Sequence, residues 1–149
     1  MRAVVQRVTS ASVTVDHRCT GKIDQGMVVL LGVGSQDTNK DVDYMVEKIT
    51  GLRIFDDSEG KMNLSLTDIN GAMLVVSQFT LYGDCRKGKR PSWSDAAKPQ
   101  VAEELYDQFI EKVKRTGIVV ASGVFQAEML VEINNDGPVT LLIDSTKSF

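Results

Sequence analysis

The sequence has 149 residues, of which 42% are hydrophobic and 25% charged, and a formal net charge of −3. That length suits one domain with a real core and is short for two, so residues 1–149 are read as a single unit. The composition is that of an ordinary globular protein, no run approaches the roughly 18 apolar residues a membrane span requires, and the acidic balance argues against a surface that coats nucleic acid everywhere.

In chain order, residues 2–9 alternate, with Ala3, Val5 and Arg7 on one face and Val4, Gln6 and Val8 on the other, which predicts a strand. Residues 12–16, rich in β-branched side chains, predict a second strand, and residues 17–22 read as turn. The run from Met27 to Val33 is apolar without alternation, as in a strand covered on both faces. A helix follows, capped by Asp37 or Thr38, with Val42, Met45, Val46 and Ile49 on one face and Gly51 as its stop. Residues 52–55 read as a strand and residues 56–61 as a solvated turn, because the acidic spacing there lacks the calcium-loop pattern and its closing Glu.

Residues 72–76 predict a buried strand that leads into polar Ser77-Gln78-Phe79-Thr80-Leu81. Residues 82–98 form the longest irregular segment, and such segments are more often functional than idle. A helix starts near Pro99, with Val101, Leu105, Phe109 and Val113 on one stripe and Ala102, Tyr106 and Ile110 beside it; Gly117 lies beyond its end. Residues 118–120, 128–133 and 139–143 predict strands, with the Asn134-Asn135-Asp136-Gly137-Pro138 cluster as a tight hairpin turn between the last two. Two helices against at least seven strands give an α/β protein with helices on one side of the sheet.

The available chemistry is narrow. Two separated cysteines, Cys19 and Cys85, fall in no CxxC pattern and are expected to be free thiols, and the opening residues lack a signal-peptide core, so a cytoplasmic address is expected. One histidine, His17, sits in turn material, and with two distant cysteines it cannot easily assemble a zinc site. No metal and no cofactor are expected. No Gly-x-Ser-x-Gly elbow, Walker loop or Gly-x-Gly-x-x-Gly follows a strand. Thr80 lacks a partner base in sequence reach. The backbone N–H groups of Phe79 and Thr80 are better suited as donors to a developing oxyanion, where one donor is worth about 3–4 kcal/mol; the plainer reading is that Ser77 and Thr80 satisfy strand-end backbone groups. Arg86, Lys87, Lys89 and Arg90 concentrate positive charge near Trp93, a pairing that fits a phosphate backbone and an unstacked base as well as it fits a solvated loop. Screening confines such a patch to about 8 Å.

Taken together, Ser77-Gln78-Phe79-Thr80-Leu81 and Asn135-Asp136-Gly137-Pro138-Val139-Thr140 resemble the paired motifs of the D-aminoacyl-tRNA deacylases, formerly called D-tyrosyl-tRNA deacylases. Met1-Arg2-Ala3-Val4-Val5-Gln6-Arg7-Val8, Ile54-Phe55 with Gly60-Lys61-Met62-Asn63-Leu64, and Arg90-Pro91-Ser92-Trp93-Ser94 extend the likeness over nearly the whole chain. Two departures are Gln126, where the family usually carries Gly or Ala, and Trp93, where Phe is frequent.

The resemblance implies a homodimer of compact three-layer α/β/β subunits, each with about two helices on a largely antiparallel, barrel-like sheet. It implies hydrolysis of D-aminoacyl-tRNA, and of glycyl-tRNA including glycine mischarged on tRNA-Ala. By analogy Gly137-Pro138 is cis and reaches into the partner's site, where its carbonyls line the space beside the substrate α-carbon. A D-ester is then accepted and the Cβ of an L-ester is driven into the corner, so chirality is read by exclusion. Phe79 and Thr80 take the oxyanion role and the 2′-hydroxyl of the terminal adenosine activates water, with Thr80 as nucleophile the other possibility. Arg7 orients the Gly-Pro corner through its guanidinium, Asn135 belongs to the same corner, Ser77 and Gln78 lie at the catalytic strand end, and Arg86, Lys87, Lys89, Arg90 and Trp93 contact tRNA. The competing expectation is a non-catalytic RNA-binding module that uses residues 86–93.

Overall fold

The computed structural model describes every residue from Met1 to Phe149. Its strands are β1 (Arg2–Val15), β2 (Arg18–Ile23), β3 (Gly26–Gly32), β4 (Phe55–Asp56), β5 (Met62–Leu64), β6 (Ala72–Ser77), β7 (Val119–Ser122) and β8 (Leu130–Asp144). Its helices are α1 (Asn39–Thr50) and α2 (Pro99–Arg115), and a 3-10 turn spans Phe79–Tyr82.

β1 is the organising strand. One edge pairs antiparallel with β3 and then β2 in a single unbroken register, from Arg2 opposite Gly32 to Val13 opposite Gly21. The other edge pairs antiparallel with β8 along its whole length. The sequence expectation of two separate strands in this region is corrected: Thr9 and Ser10 mark a bulge, not a break. Residues 18–22, expected as turn, form β2, and only Asp16 and His17, both at positive φ (47° and 62°), make the reversal. Such a turn matches the twist of the strands it joins.

β3 pairs parallel with β6 and β6 parallel with β7, so the sheet is mixed, with its antiparallel part gathered around β1. The far ends curl together: a Cβ on Gly21 of β2 would lie 2.6 Å from the Ser122 carbonyl of β7, which nearly closes the sheet into a barrel. Strand alternation divides the apolar side chains between two cores. Met27, Val29, Leu31, Met73 and Val75 face the helices, while Val28, Leu74 and Val76 face the inside of the curl. β1 serves both, sending Ala3 and Val5 to the first and Val8, Ala11 and Val13 to the second.

The helices lie over the first core with their apolar stripes inward. Val42, Met45 and Ile49 of α1 and Leu105, Tyr106, Phe109, Ile110 and Val113 of α2 are buried, and burying one such side chain is worth about 1.5–3 kcal/mol. Thr38 is the residue that starts α1, and Asp41 returns to accept its N–H at 2.8 Å. Val101, expected on the inner stripe of α2, is exposed in the first turn of the helix. Gly51 ends α1 with φ −88°, so it is a right-handed stop and not a left-handed one. The strand expected at residues 52–55 contracts to Phe55–Asp56, paired with β5. No helix is long and apolar enough to cross a membrane.

The largest correction concerns residues 134–140. They do not reverse the chain. Residues on both sides pair with β1, Asn135 with Val8 and Thr140 with Gln6, so Asp136, Gly137, Pro138 and Val139 leave the ladder opposite Arg7 alone. The segment is an excursion within one long strand, and its Gly137–Pro138 peptide is cis, as the resemblance implied.

Candidate active site

β6 is buried from Met73 to Val76 and surfaces at Ser77. Gln78 is still tied to β3, its N–H donating to the Leu31 carbonyl at 2.8 Å, before the chain enters the 3-10 turn. The first helical bond is that of Leu81 N–H to the Gln78 carbonyl, 3.3 Å. The N–H groups of Phe79 and Thr80, two positions and one position earlier, have no acceptor within so short a helix. No side chain caps them either. Gln78, placed to do so, instead donates from its amide to the Thr80 hydroxyl.

Beside this strand end lies a cleft of about 620 Å³, walled by Leu31, Val33, Val76, Ala102 and Phe125 and rimmed by Ser77, Gln78, Phe79 and Trp93. Phe79 and Trp93 meet edge to face, with centroids 5.3 Å apart, and both remain substantially exposed. At the back, the Tyr106 hydroxyl donates to the Val75 carbonyl at 2.9 Å, and burial pushes its phenol up, so it is a neutral donor at any physiological pH. Gln126 stands at the cleft with φ 61°, a left-handed conformation that glycine adopts freely and any residue with a Cβ adopts at a cost. That backbone favours glycine at this position and gives alanine, which also carries a Cβ, no advantage over glutamine.

The excursion is braced from beneath. Arg7 is 7% exposed; its Nη1 donates to the Ile54 carbonyl at 2.8 Å, and its Nε lies 3.1 Å from the Asp136 carboxylate and 3.4 Å from the Asp136 carbonyl. Asp56 adds a second carboxylate at 3.5 Å. Asn135 ties the base: its Nδ2 donates to the carbonyls of Arg7 and Val139, each at 3.0 Å, and its Oδ1 accepts from Gln6 and Thr140. Gly137 and Pro138 are exposed at the tip, Gly137 at φ 114°. None of Arg7, Asn135, Gly137 or Pro138 lines the cleft of its own chain.

The basic stretch divides. Asp84 and Ser92 exchange two backbone hydrogen bonds, 2.8 and 3.0 Å, so residues 85–91 project as an arm. Arg86 forks onto Asp84 at 2.8 and 2.9 Å, and this side-chain bond holds the Asp84 carboxyl far below the usual carboxylate range. Lys87, Lys89 and Arg90 are exposed and form no ion pair within the chain. Trp93 belongs to the cleft and not to the arm. The carboxylates of Asp56 and Asp136 escaped sequence reasoning as braces, although a buried arginine demands such partners and Asp136 lay within the motif.

Comparison with known proteins places this geometry. The family model for D-Tyr-tRNA(Tyr) deacylase matches residues 4–144. A D-aminoacyl-tRNA deacylase of Fervidobacterium nodosum is 62% identical over 149 residues, all of both chains, and one of Clostridioides difficile is 60% identical over the same extent. A solved structure of the c-Myc DNA Unwinding Element Binding Protein superposes with a TM-score of 0.92 at 43% identity, over 97% of this chain and 98% of that one. That of a probable eukaryotic D-amino acid tRNA deacylase gives 0.81 over 95% and 97%, a likeness of fold alone at 19% identity. Full-length matches at such identity leave one conclusion: the chain belongs to the D-aminoacyl-tRNA deacylase family.

Proposed function

We propose that this chain hydrolyses the ester of D-aminoacyl-tRNA at the Ser77–Thr80 strand end, with the amides of Phe79 and Thr80 as the oxyanion donors. The activity is that of the family, a carboxylic ester hydrolase acting on D-aminoacyl-tRNA. The observation that carries the site assignment is the pair of adjacent N–H groups left without helical or capping partners beside a mostly apolar cleft. Fixed donors in a cleft poor in water stabilise a tetrahedral oxyanion without reorganising. The 2′-hydroxyl of the terminal adenosine supplies the proton transfer that no protein side chain here is arranged to make.

In this reading the functional unit is a homodimer. The exposed Gly137-Pro138 tip of one copy stands over the cleft of the other, and its carbonyls accept from the substrate α-amino group. An L-ester would press Cβ into that corner, whereas a D-ester directs its side chain to solvent and glycine has nothing to exclude. Lys87, Lys89 and Arg90 serve the tRNA backbone. The test is cleavage of D-Tyr-tRNA and L-Tyr-tRNA by the pure protein with chelator present. Rapid loss of the D-ester alone is expected. Equal rates would remove chiral exclusion, and salt-sensitive tRNA binding without turnover would favour an RNA-binding module.

A further inference from the structure

We infer that Arg2 is a positioning residue for the reaction, holding the 3-10 turn that carries the Phe79 and Thr80 amides; this rests on the site assignment proposed above. Arg2 Nη1 donates to the Leu81 carbonyl at 3.1 Å, inside the turn itself. The same guanidinium lies 4.6 Å from the centroid of the Tyr82 ring, the last residue of the turn. Its Nε reaches the buried Asp144 carboxylate at 3.3 Å, at the C-terminal end of β8. One planar group thus grips the turn twice and anchors it to the sheet once.

The rest of the surroundings restrains the same piece of chain. The Tyr82 hydroxyl donates to Asp37 at 3.3 Å, and the Tyr82 ring packs on Gly34, where a Cβ would come within 2.7 Å of it. Asp144 is itself fixed by the Thr146 N–H and hydroxyl, both at 2.8 Å. Within the turn, by contrast, the only side-chain bond is that of Gln78 to Thr80. The stiffness of the amide pair therefore comes from below, from Arg2 together with the contacts of Tyr82. Lysine replaces Arg2 only in part, since an ammonium on a flexible stem lacks the fork and the flat face that make these contacts together. Arg2 touches neither of the two amides, so its effect is on their placement, and an ångström of misplacement costs a large factor in rate.

The experiment exploits two features. Trp93 is the one tryptophan and packs against Phe79, so its fluorescence reports the turn whether or not the enzyme turns over. Arg2 is about one-third exposed beside an open hollow lined by Tyr82, Asp84 and Arg86, so a small guanidinium can enter when the side chain is removed. In Arg2→Ala we expect kcat on D-Tyr-tRNA to fall at least roughly tenfold with KM nearly constant, the Trp93 emission to shift, and added ethylguanidinium to restore part of both. Arg2→Lys should fall between, and it replaces the alanine variant if that fails to fold. Unchanged kcat and Trp93 emission in a folded variant would overturn the inference, as would a loss that follows the unfolded fraction alone. If wild type fails to cleave the D-ester while Trp93 still responds to Arg2, the assigned reaction is wrong and the coupling of Arg2 to the turn stands.

Discussion

Two irregular segments adjoin strands of this molecule, one after β6 and one within β8, and they are secured in opposite ways. The 3-10 turn after β6 leaves unpaired N–H groups and is held mainly by packing and by Arg2 from outside. The excursion within β8 leaves exposed backbone at Gly137 and Pro138 and is held by charge and amide bonds gathered beneath it, from Arg7 and Asn135. One offers donors and the other acceptors. In both, the parts proposed to meet substrate are main chain, and the side chains serve to immobilise it. Backbone groups cannot be exchanged by point mutation, so the braces are where each segment is vulnerable.

The sharpest way to break the comparison is Arg7→Ala. It strips a buried cation from the Ile54 carbonyl and from two half-exposed carboxylates, and we expect about 2–3 kcal/mol lost in a denaturant melt, with activity on D-Tyr-tRNA down about a hundredfold. Gly137→Ala comes next. A Cβ there would meet Val139 Cγ2 at 2.9 Å and Arg7 Nη2 at 3.0 Å, at a φ that L-residues avoid, so the crowding arises within the chain itself. About 1–3 kcal/mol and at least roughly tenfold in rate should be lost, and wild-type rates would count against the role given to the corner.

Acid should act on the other segment. Burial pushes the Asp144 carboxyl up, but the Thr146 hydroxyl and N–H and the Arg2 guanidinium together outweigh it and hold it low. Asp41, which burial also pushes up, is held low by Ser145 and Thr38. A lowered folded pKa means stability present above the unfolded value, near 4, and lost as pH falls through the folded one. Thermal melts should therefore be level above about pH 5 and drop below about pH 4. The smallest effect is expected of Thr80→Ala, which removes a hydroxyl but keeps the amide. Less than about a tenfold fall in rate is anticipated, and complete loss in a folded variant would favour a Thr80-dependent hydrolysis instead.

Much of this architecture is legible in the residues alone, and the exceptions have physical causes. The 3.6-residue spacing of Val42, Met45 and Ile49 and of Leu105, Phe109 and Val113 reports burial directly, and both helices follow it. Arg18-Cys19-Thr20-Gly21-Lys22 carries no such pattern, because its strand exists through pairing with β1 while most of its side chains face solvent. The Asn-Asp-Gly-Pro cluster is correctly read as a place where the ladder stops. Whether the chain then reverses or rejoins the same neighbour depends on what lies opposite, which local chemistry does not encode. The site divides likewise. Ser77, Gln78, Phe79 and Trp93 are adjacent in a motif or a loop and do meet at the cleft, whereas the hold of Arg2 on Leu81 spans 79 positions and leaves no local trace.

The Thr9 bulge acquires a meaning beside the excursion. Across the excursion β8 advances five residues while β1 advances two, which leaves Asn135, and with it Ile133 and Val131, on the face of Val8 that looks into the second core; the extra residue at Thr9 then turns β1 itself, bringing Ala11 and Val13 onto that face opposite Ile133 and Val131. Removing Thr9 alone would turn Ala11 and Val13 away from the second core or slip their pairing with Ile133 and Val131, whereas shortening 136–139 acts outside the ladder and leaves the facing of the paired residues to their partners in β1.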